Sequence, residues 1–280
     1  MRIAVVSFVV FGLVGCTANP QKQFARDAAN AMSGSPATLT VVGSITMEGS
    51  GTVYDPASGA KYAVKSFQRV LNFKRGGQWR QEEERVAETH KDEGAKAAAS
   101  KVSAAKSNAA PQIVVRGVYG KTAFNVNAEG TAASLSDQDV RDRREEIYQY
   151  PIGFLEAAFA RNSKLGNQRT EGNEDAVDLT VDGITYTLYT DTGTKLPTRI
   201  VSKTRNGEST LETSFDKYLK LRGYTLPSHI VMKVDQMVTA DLKIDRQTLS
   251  VDTVRLPVPA GIKVEAPAGR GRGAEAAAAF

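Results

Sequence analysis

The sequence predicts a mainly β (α+β) protein, with about eleven antiparallel strands in an incomplete half-barrel curved around one or two helices. Three observations predict it. Apolar and polar residues alternate with period two in run after run beyond residue 38, as in strands with one covered and one wet face. Asp182-Gly183, a tight-hairpin dipeptide, separates two alternating runs that agree on one register. One strongly apolar helical segment, 151–161, needs cover, and in a chain otherwise made of strands the concave face of a sheet can supply it.

Behind Met1 and Arg2, the apolar run from Ile3 to Val14 has the length of a secretory h-region, whereas a spanning helix takes about 20 apolar residues. Leu13-Val14-Gly15-Cys16 resembles the bacterial lipobox. That resemblance implies a signal peptide over 1–15, acylation of the Cys16 thiol, and a membrane anchor. The other readings are an uncleaved apolar N-terminus or a free thiol. Thr17 stands where aspartate would signal inner-membrane retention in enterobacteria, so the expected location is the periplasmic face of the outer membrane. Residues 16–23 then form a lipidated tether, whose stretch from Thr17 to Gln23 reaches about 23 Å. On that reading the anchor itself is a candidate occupant of any acyl-binding groove.

Removing residues 1–15 from 280 leaves 265, enough for a large core. Cys16 is the only cysteine, so no intrachain disulfide forms. The balance of 36 basic against 31 acidic residues, +5, falls to +4 once Arg2 leaves. This surplus is too weak and too mixed for nucleic acid, though it does not oppose anionic lipid headgroups.

Phe24, Ala28, Ala31 and Met32 at helical spacing, closed by Gly34, predict a helix over 22–33. From Thr38 to Tyr54 the period becomes two, and glycines 43, 49 and 51 should bend or bulge that strand. A strand over 61–74 turns at Gly76-Gly77 and returns from Trp79 to Val86; its charges (Arg80, Glu82, Glu83, Glu84, Arg85) read as a solvated sheet edge. Residues 87–110 become Ala, Lys and Ser, with Lys91, Lys96, Lys101 and Lys106 spaced so that they never form a helical stripe; this reads as a flexible insertion. Strands resume at 113–115 and 124–128, with Gly117, Gly120 and Gly130 read as turns.

Ser136, with Asp139 three residues on, caps a charged helix over 137–149. Pro151 ends it or starts a second, whose Ile152, Phe154, Leu155, Ala158 and Phe159 make one broad apolar face. In the following hairpin Val181 faces Ile184, Leu179 faces Tyr186, and Val177 faces Leu188. Leu196-Pro197-Thr198-Arg199 and Leu226-Pro227-Ser228-His229 repeat a pattern with proline at a strand start. Alternating runs at 211–216 and 238–244 complete the strands, and the Pro-, Gly- and Ala-rich stretch 256–280 reads as a disordered tail.

Metal, nucleophile and nucleotide signatures are missing. The two histidines, His90 and His229, lie in different segments without neighbouring ligands, and no Gly-x-Ser-x-Gly elbow or Walker motif occurs. Glu145-Glu146 and Glu82 to Glu84 read as solvated charge rather than an acid/base pair. The expectation is therefore no enzyme and no cofactor. What remains is the apolar helix inside curved sheet. Its side chains either fill a closed core or, in an open half-barrel, line a groove for an acyl chain; Trp79, Phe124, Ile152, Phe154, Leu155 and Phe159 are the candidate lining.

Several motifs carry a family resemblance. Val41-Val42-Gly43-Ser44, Val140-Arg141-Asp142-Arg143-Arg144, Leu196-Pro197-Thr198-Arg199, Glu212-Thr213-Ser214-Phe215 and Leu226-Pro227 resemble the LolA-like region that precedes metallo-β-lactamase-fold domains in some bacterial proteins. More broadly, residues 24–250 look like the LolA/LolB lipoprotein-carrier superfamily. The resemblance implies a single domain over 24–255 that binds an acyl chain or lipoprotein lipid in the cell envelope. The His-x-His-x-Asp-His motif of the fused zinc domains does not occur, so hydrolase activity does not carry over. The alternative is an envelope protein with a closed core that presents its charged hairpin to a protein partner.

Overall fold

Asn19-Pro20 and Ser35-Pro36 open the first two helices. In α1 (Pro20–Ser33) the Asn19 side chain accepts the Lys22 amide, and Gly34, at φ 72°, ends the helix with its N–H on Asn30 O. The helix thus takes in the second half of the expected tether. α2 (Pro36–Thr40) replaces the start of the strand expected from Thr38. There Ser35 caps the Thr38 amide and Pro36 occupies the first turn, and these local signals outweigh the alternation of Leu39 and Val41. Val41, assigned by alternation to the covered face, is 51 % exposed.

The computed structural model describes residues 19–55, 58–74, 77–88 and 110–263. Cys16 and the signal segment, most of the 87–110 insertion with His90, and residues 264–280 lie outside them.

The remaining elements are β1 (Ser44–Tyr54), β2 (Lys61–Asn72), β3 (Gln78–Ala87), β4 (Gln112–Tyr119), β5 (Thr122–Val126), β6 (Ala132–Ser134), α3 (Asp137–Glu145), a 3₁₀ turn (Glu146–Gln149), α4 (Pro151–Phe159), β7 (Lys164–Glu171), β8 (Glu174–Val181), β9 (Ile184–Asp191), β10 (Pro197–Lys203), β11 (Thr210–Leu221), β12 (Tyr224–Val234) and β13 (Met237–Ser250). The thirteen strands form one open antiparallel sheet in the order β6-β5-β4-β3-β2-β1-β13-β12-β11-β10-β9-β8-β7. Two meanders therefore meet where β1 pairs with β13, and the two edges are the strands flanking the helical segment. Residues 137–159 bridge those edges, so helices rather than hydrogen-bonded strands span the opening.

The two strands beyond the expected eleven are these edges, β6 and β7. Each lacks an apolar alternation: β6 has three residues, and β7 carries Leu165 alone among Gly, Asn, Gln and charges. The hairpin β8–β9 has the expected register, Val177 to Leu188, Leu179 to Tyr186 and Val181 to Ile184, around Asp182 (φ 49°) and Gly183 (φ 85°). β1 breaks register next to Gly49 against both neighbours, and a Cβ there would stand 1.9 Å from Lys243 O, so a bare backbone lets the strands close at the bulge.

Four further expectations change. β3 is an interior strand paired on both sides, not an edge. Gly117 lies within β4 rather than at a turn, and its missing Cβ admits the Phe124 ring, whose Cζ would be 2.8 Å away. Pro227 is the fourth residue of β12 and not its start. The chain expected to be a free tail from 256 stays on the sheet to Lys263: Asn72 brackets Val254 with two hydrogen bonds, Leu256 is buried, and Thr122 Oγ1 donates to Lys263 O.

Candidate functional site

Alternation within β3 sorts its charged run onto two faces. Trp79 belongs to the core cluster on the concave side, so Gln81, Glu83 and Arg85 share that side, while Arg80, Glu82 and Glu84 face outward. Register extends the concave row sideways: Arg69 of β2 and Arg116 of β4 flank Gln81, and Phe67 flanks Glu83. Two of the five charges read as a solvated edge, Glu83 and Arg85, are thus turned inward, and the Glu83 side chain is fully buried.

The helical bridge is fastened to both meanders. On one side, Arg143 donates from Nη1 to Phe124 O at 2.6 Å and Gly117 O at 3.1 Å, and from Nη2 to Asn125 Oδ1 at 2.6 Å. Trp79 Nε1 donates to Arg143 O, and Arg144 donates to Gly120 O. On the other side, Gln149 Nε2 donates to Ser202 Oγ at 2.7 Å and its Oε1 accepts from Thr213 Oγ1 at 3.2 Å, all three residues being buried. Arg205 pairs with Glu145. The capping box of Ser136 and Asp139 starts α3 as expected.

Between this bridge and the sheet lie two adjoining cavities. One of about 430 Å³ runs past Glu145, Gln149, Tyr186, Ser202, Leu211 and the exposed Arg205. The other, of about 290 Å³, has Val53, Met232, Val234 and Ala240 as apolar wall and Arg85 and Arg116 on its cationic side. Both are lined by Glu146, Gln149 and Leu211, which makes them one cleft with a waist. Its volume lies in the range of small-molecule sites.

Burial shapes the electrostatics here. It pushes the Glu145 carboxyl up, against the pull of Arg205, and the Tyr186 phenol up as well. It pulls the Arg69 guanidinium down; Glu146 opposes that shift and Arg116 adds to it. Arg69 also stacks 5.1 Å from the Trp79 ring centre, with Arg143 at 5.7 Å. Among the described residues no cluster of His, Cys, Asp and Glu could hold a metal ion. His229 lies on the sheet surface, its ring between Asp216 at 2.6 Å and Asp241 at 2.8 Å.

The six residues singled out by sequence are divided. Ile152, Phe154 and Leu155 are fully buried in the core, with Phe159 packed partly buried against it, and Trp79 belongs to the same cluster. Phe124 pairs with Gly117, opposite Arg80, and so lies on the convex face. None of the six lines the cleft described above. The cleft residues missed by sequence are Gln149, Leu211 and the arginines of β3 and β4. The available signal was the strand alternation of Gln81, Glu83 and Arg85 with Trp79, which places them on the core side.

No helix among the described residues is long and apolar enough to cross a membrane. No family model and no curated protein matches the sequence. Solved structures similar to this chain include a LolA superfamily protein from Nitrosomonas europaea (10% identity, 85% of this chain and 94% of that one, TM-score 0.44). A domain assigned to outer membrane lipoprotein sorting, from Vibrio parahaemolyticus, has 9% identity over 82% and 93% of the chains, with TM-score 0.43. A DUF1329 family protein from Desulfovibrio piger has 10% identity over 84% and 95%, with TM-score 0.45.

Proposed function

We propose that this chain is a lipid-anchored cell-envelope protein that binds an acyl chain or lipoprotein lipid, without catalysis, in the cleft beneath the helical bridge. The observation that carries the reading is an open sheet whose edges are joined only by helices, with an apolar-walled cleft left between bridge and sheet. An acyl chain suits such a wall because each buried CH₂ contributes about 0.8 kcal/mol and needs no directional partner. Ile152, Phe154, Leu155, Phe159 and Trp79 serve as the apolar body on which the cleft is built.

The anchor is Cys16, in the pattern Leu13-Val14-Gly15-Cys16. With α1 starting at Pro20, the cysteine backbone stays within about 10 Å of Asn19. The start of α1 lies beside Lys195, in the turn before β10, whereas Arg205 at the cleft follows β10. The start of α1 and the mouth of the cleft thus stand at opposite ends of that strand.

The test is uptake of a fluorescent fatty acid by the delipidated full-length protein. Leu211→Trp, which fills the waist of the cleft, should lower uptake at least several-fold while thermal unfolding stays cooperative. Uptake no greater than that of a non-binding control protein would refute the reading.

A further inference from the structure

The concave wall beside the cleft carries more positive charge than its own carboxylates neutralise. Arg69, Arg85 and Arg116 stand on three adjacent strands, and the carboxylates facing them are Glu83 and Glu146. Arg69 is engaged by Glu146, 3.3 Å away, and by the Trp79 ring. Arg85 shares Glu83. Arg116 has only the same Glu83 oxygen, at 3.7 Å, beyond hydrogen-bond reach. Arg85 and Arg116 are the two that line the cleft.

The unpaired atoms are of two kinds. Nε of each of the three arginines is buried without a hydrogen-bond partner, and so are the acceptors Gln81 Oε1 and Glu83 Oε2 on the strand between them. Buried polar groups left unpaired are costly, and Arg85 and Arg116, which line the cleft, are the two where a ligand can relieve that cost by supplying acceptors. A phosphate supplies several charged acceptors there, whereas a neutral alcohol can accept from the guanidiniums but brings no charge to them.

We infer that this wall receives the phosphate head group of an acyl lipid, with phosphate oxygens on Arg116 and Arg85, the two arginines that line the cleft. The planar fork of a guanidinium matches phosphate oxygens, and one net positive charge over the five side chains favours an anion. The acyl chain runs from there along Met232, Val234 and Leu211. The inference rests on the acyl-binding reading above and adds to it the chemistry of the head.

The experiment is displacement of a bound fluorescent fatty acid from the full-length protein by three probes: 1-palmitoyl-glycerol 3-phosphate, neutral 1-palmitoyl-glycerol, and inorganic phosphate. The phosphate ester should displace at roughly tenfold lower concentration than its neutral twin, the scale of a charge-assisted hydrogen bond. Arg116→Gln should erase that preference, while cooperative thermal unfolding reports that the variant is folded. Should Arg116→Gln lose the neutral probe too, Arg116→Lys decides: a reduced preference supports the assignment, and an unchanged one overturns it. Equal displacement by both glycerides, indifferent to Arg116, overturns the phosphate site and leaves the acyl-binding reading standing. Inorganic phosphate as effective as the ester overturns the lipid assignment in favour of a free anion. A protein that takes up no fatty acid and responds to no probe overturns both.

Discussion

Replacing Gln149 by alanine removes the one side chain that ties the 3₁₀ turn to β10 and β11 together. Two buried hydrogen bonds go with it, at 2.7 Å to Ser202 and 3.2 Å from Thr213, and both hydroxyls are left at the wall of the cleft, where water replaces the lost partner only in part. Leaving a buried polar group unpaired costs about 1–3 kcal/mol, and with the cleft beside both hydroxyls the lower part of that range applies, about 2–4 kcal/mol for the pair. For a protein of this size that corresponds to a fall in Tm of roughly 5–15 °C. The assay is urea and thermal unfolding of Gln149→Ala alone and combined with Ser202→Ala and Thr213→Val. Removing the partners as well should recover part of the loss, because no polar group is then stranded. A single-variant loss below about 0.5 kcal/mol would refute the claim that this residue fastens the bridge. So would strict additivity in the combined variant.

Gly117→Ala should destabilise by about 1–3 kcal/mol in urea unfolding, because the new methyl meets the Phe124 ring and Trp79 O at 2.8 Å; a neutral effect would contradict the packing over β4. Gly183→Ala, at φ 85°, should lose about 1–2 kcal/mol by the same assay, and no loss would argue against the two-residue turn. Hydrogen bonding to Lys195 and Thr170 lowers the Asp175 carboxyl, and bonds from Thr194 lower Asp191. With folded values below the ordinary 3.8, the stability these groups contribute is present above that value and is lost as pH falls through the folded ones. Tm should therefore hold above pH 5 and drop below pH 4, less steeply in Asp175→Asn; a Tm unchanged from pH 5 to pH 3 would contradict this. Finally, Cys16→Ser should move the protein from the membrane to the soluble envelope fraction, and an unchanged distribution would oppose acylation at Cys16.

The parts of the fold legible in the sequence are those where local chemistry and burial agree. Asp182-Gly183 demands one turn and the flanking apolar residues demand one face, so β8 and β9 could be paired residue by residue. Ser136 and Asp139 likewise marked α3. The edge strands were illegible for the opposite reason. β7 buries almost nothing apolar, and what defines it is pairing with β8, a contact between segments that local pattern does not encode. Leu39 shows a third case, in which alternation was real but Ser35 and Pro36 set the backbone first.

The cleft was hidden because its residues sit where alternation is obscured by charge. Arg80 to Arg85 form a run in which every residue is polar, and only Trp79 at one end reveals which of them turn inward. Gln149 could not be singled out, since its partners Ser202 and Thr213 are distant in sequence. The apolar helix α4 is buried, and the unfilled space lies next to the turn that precedes it.

The most direct test of the central claim is native mass spectrometry of the full-length protein extracted gently from its own envelope. An acyl lipid should be retained at one per chain and be lost in Leu211→Trp. Protein that carries no lipid, or lipid retained equally by that variant, would contradict a ligand in the cleft beneath the helical bridge.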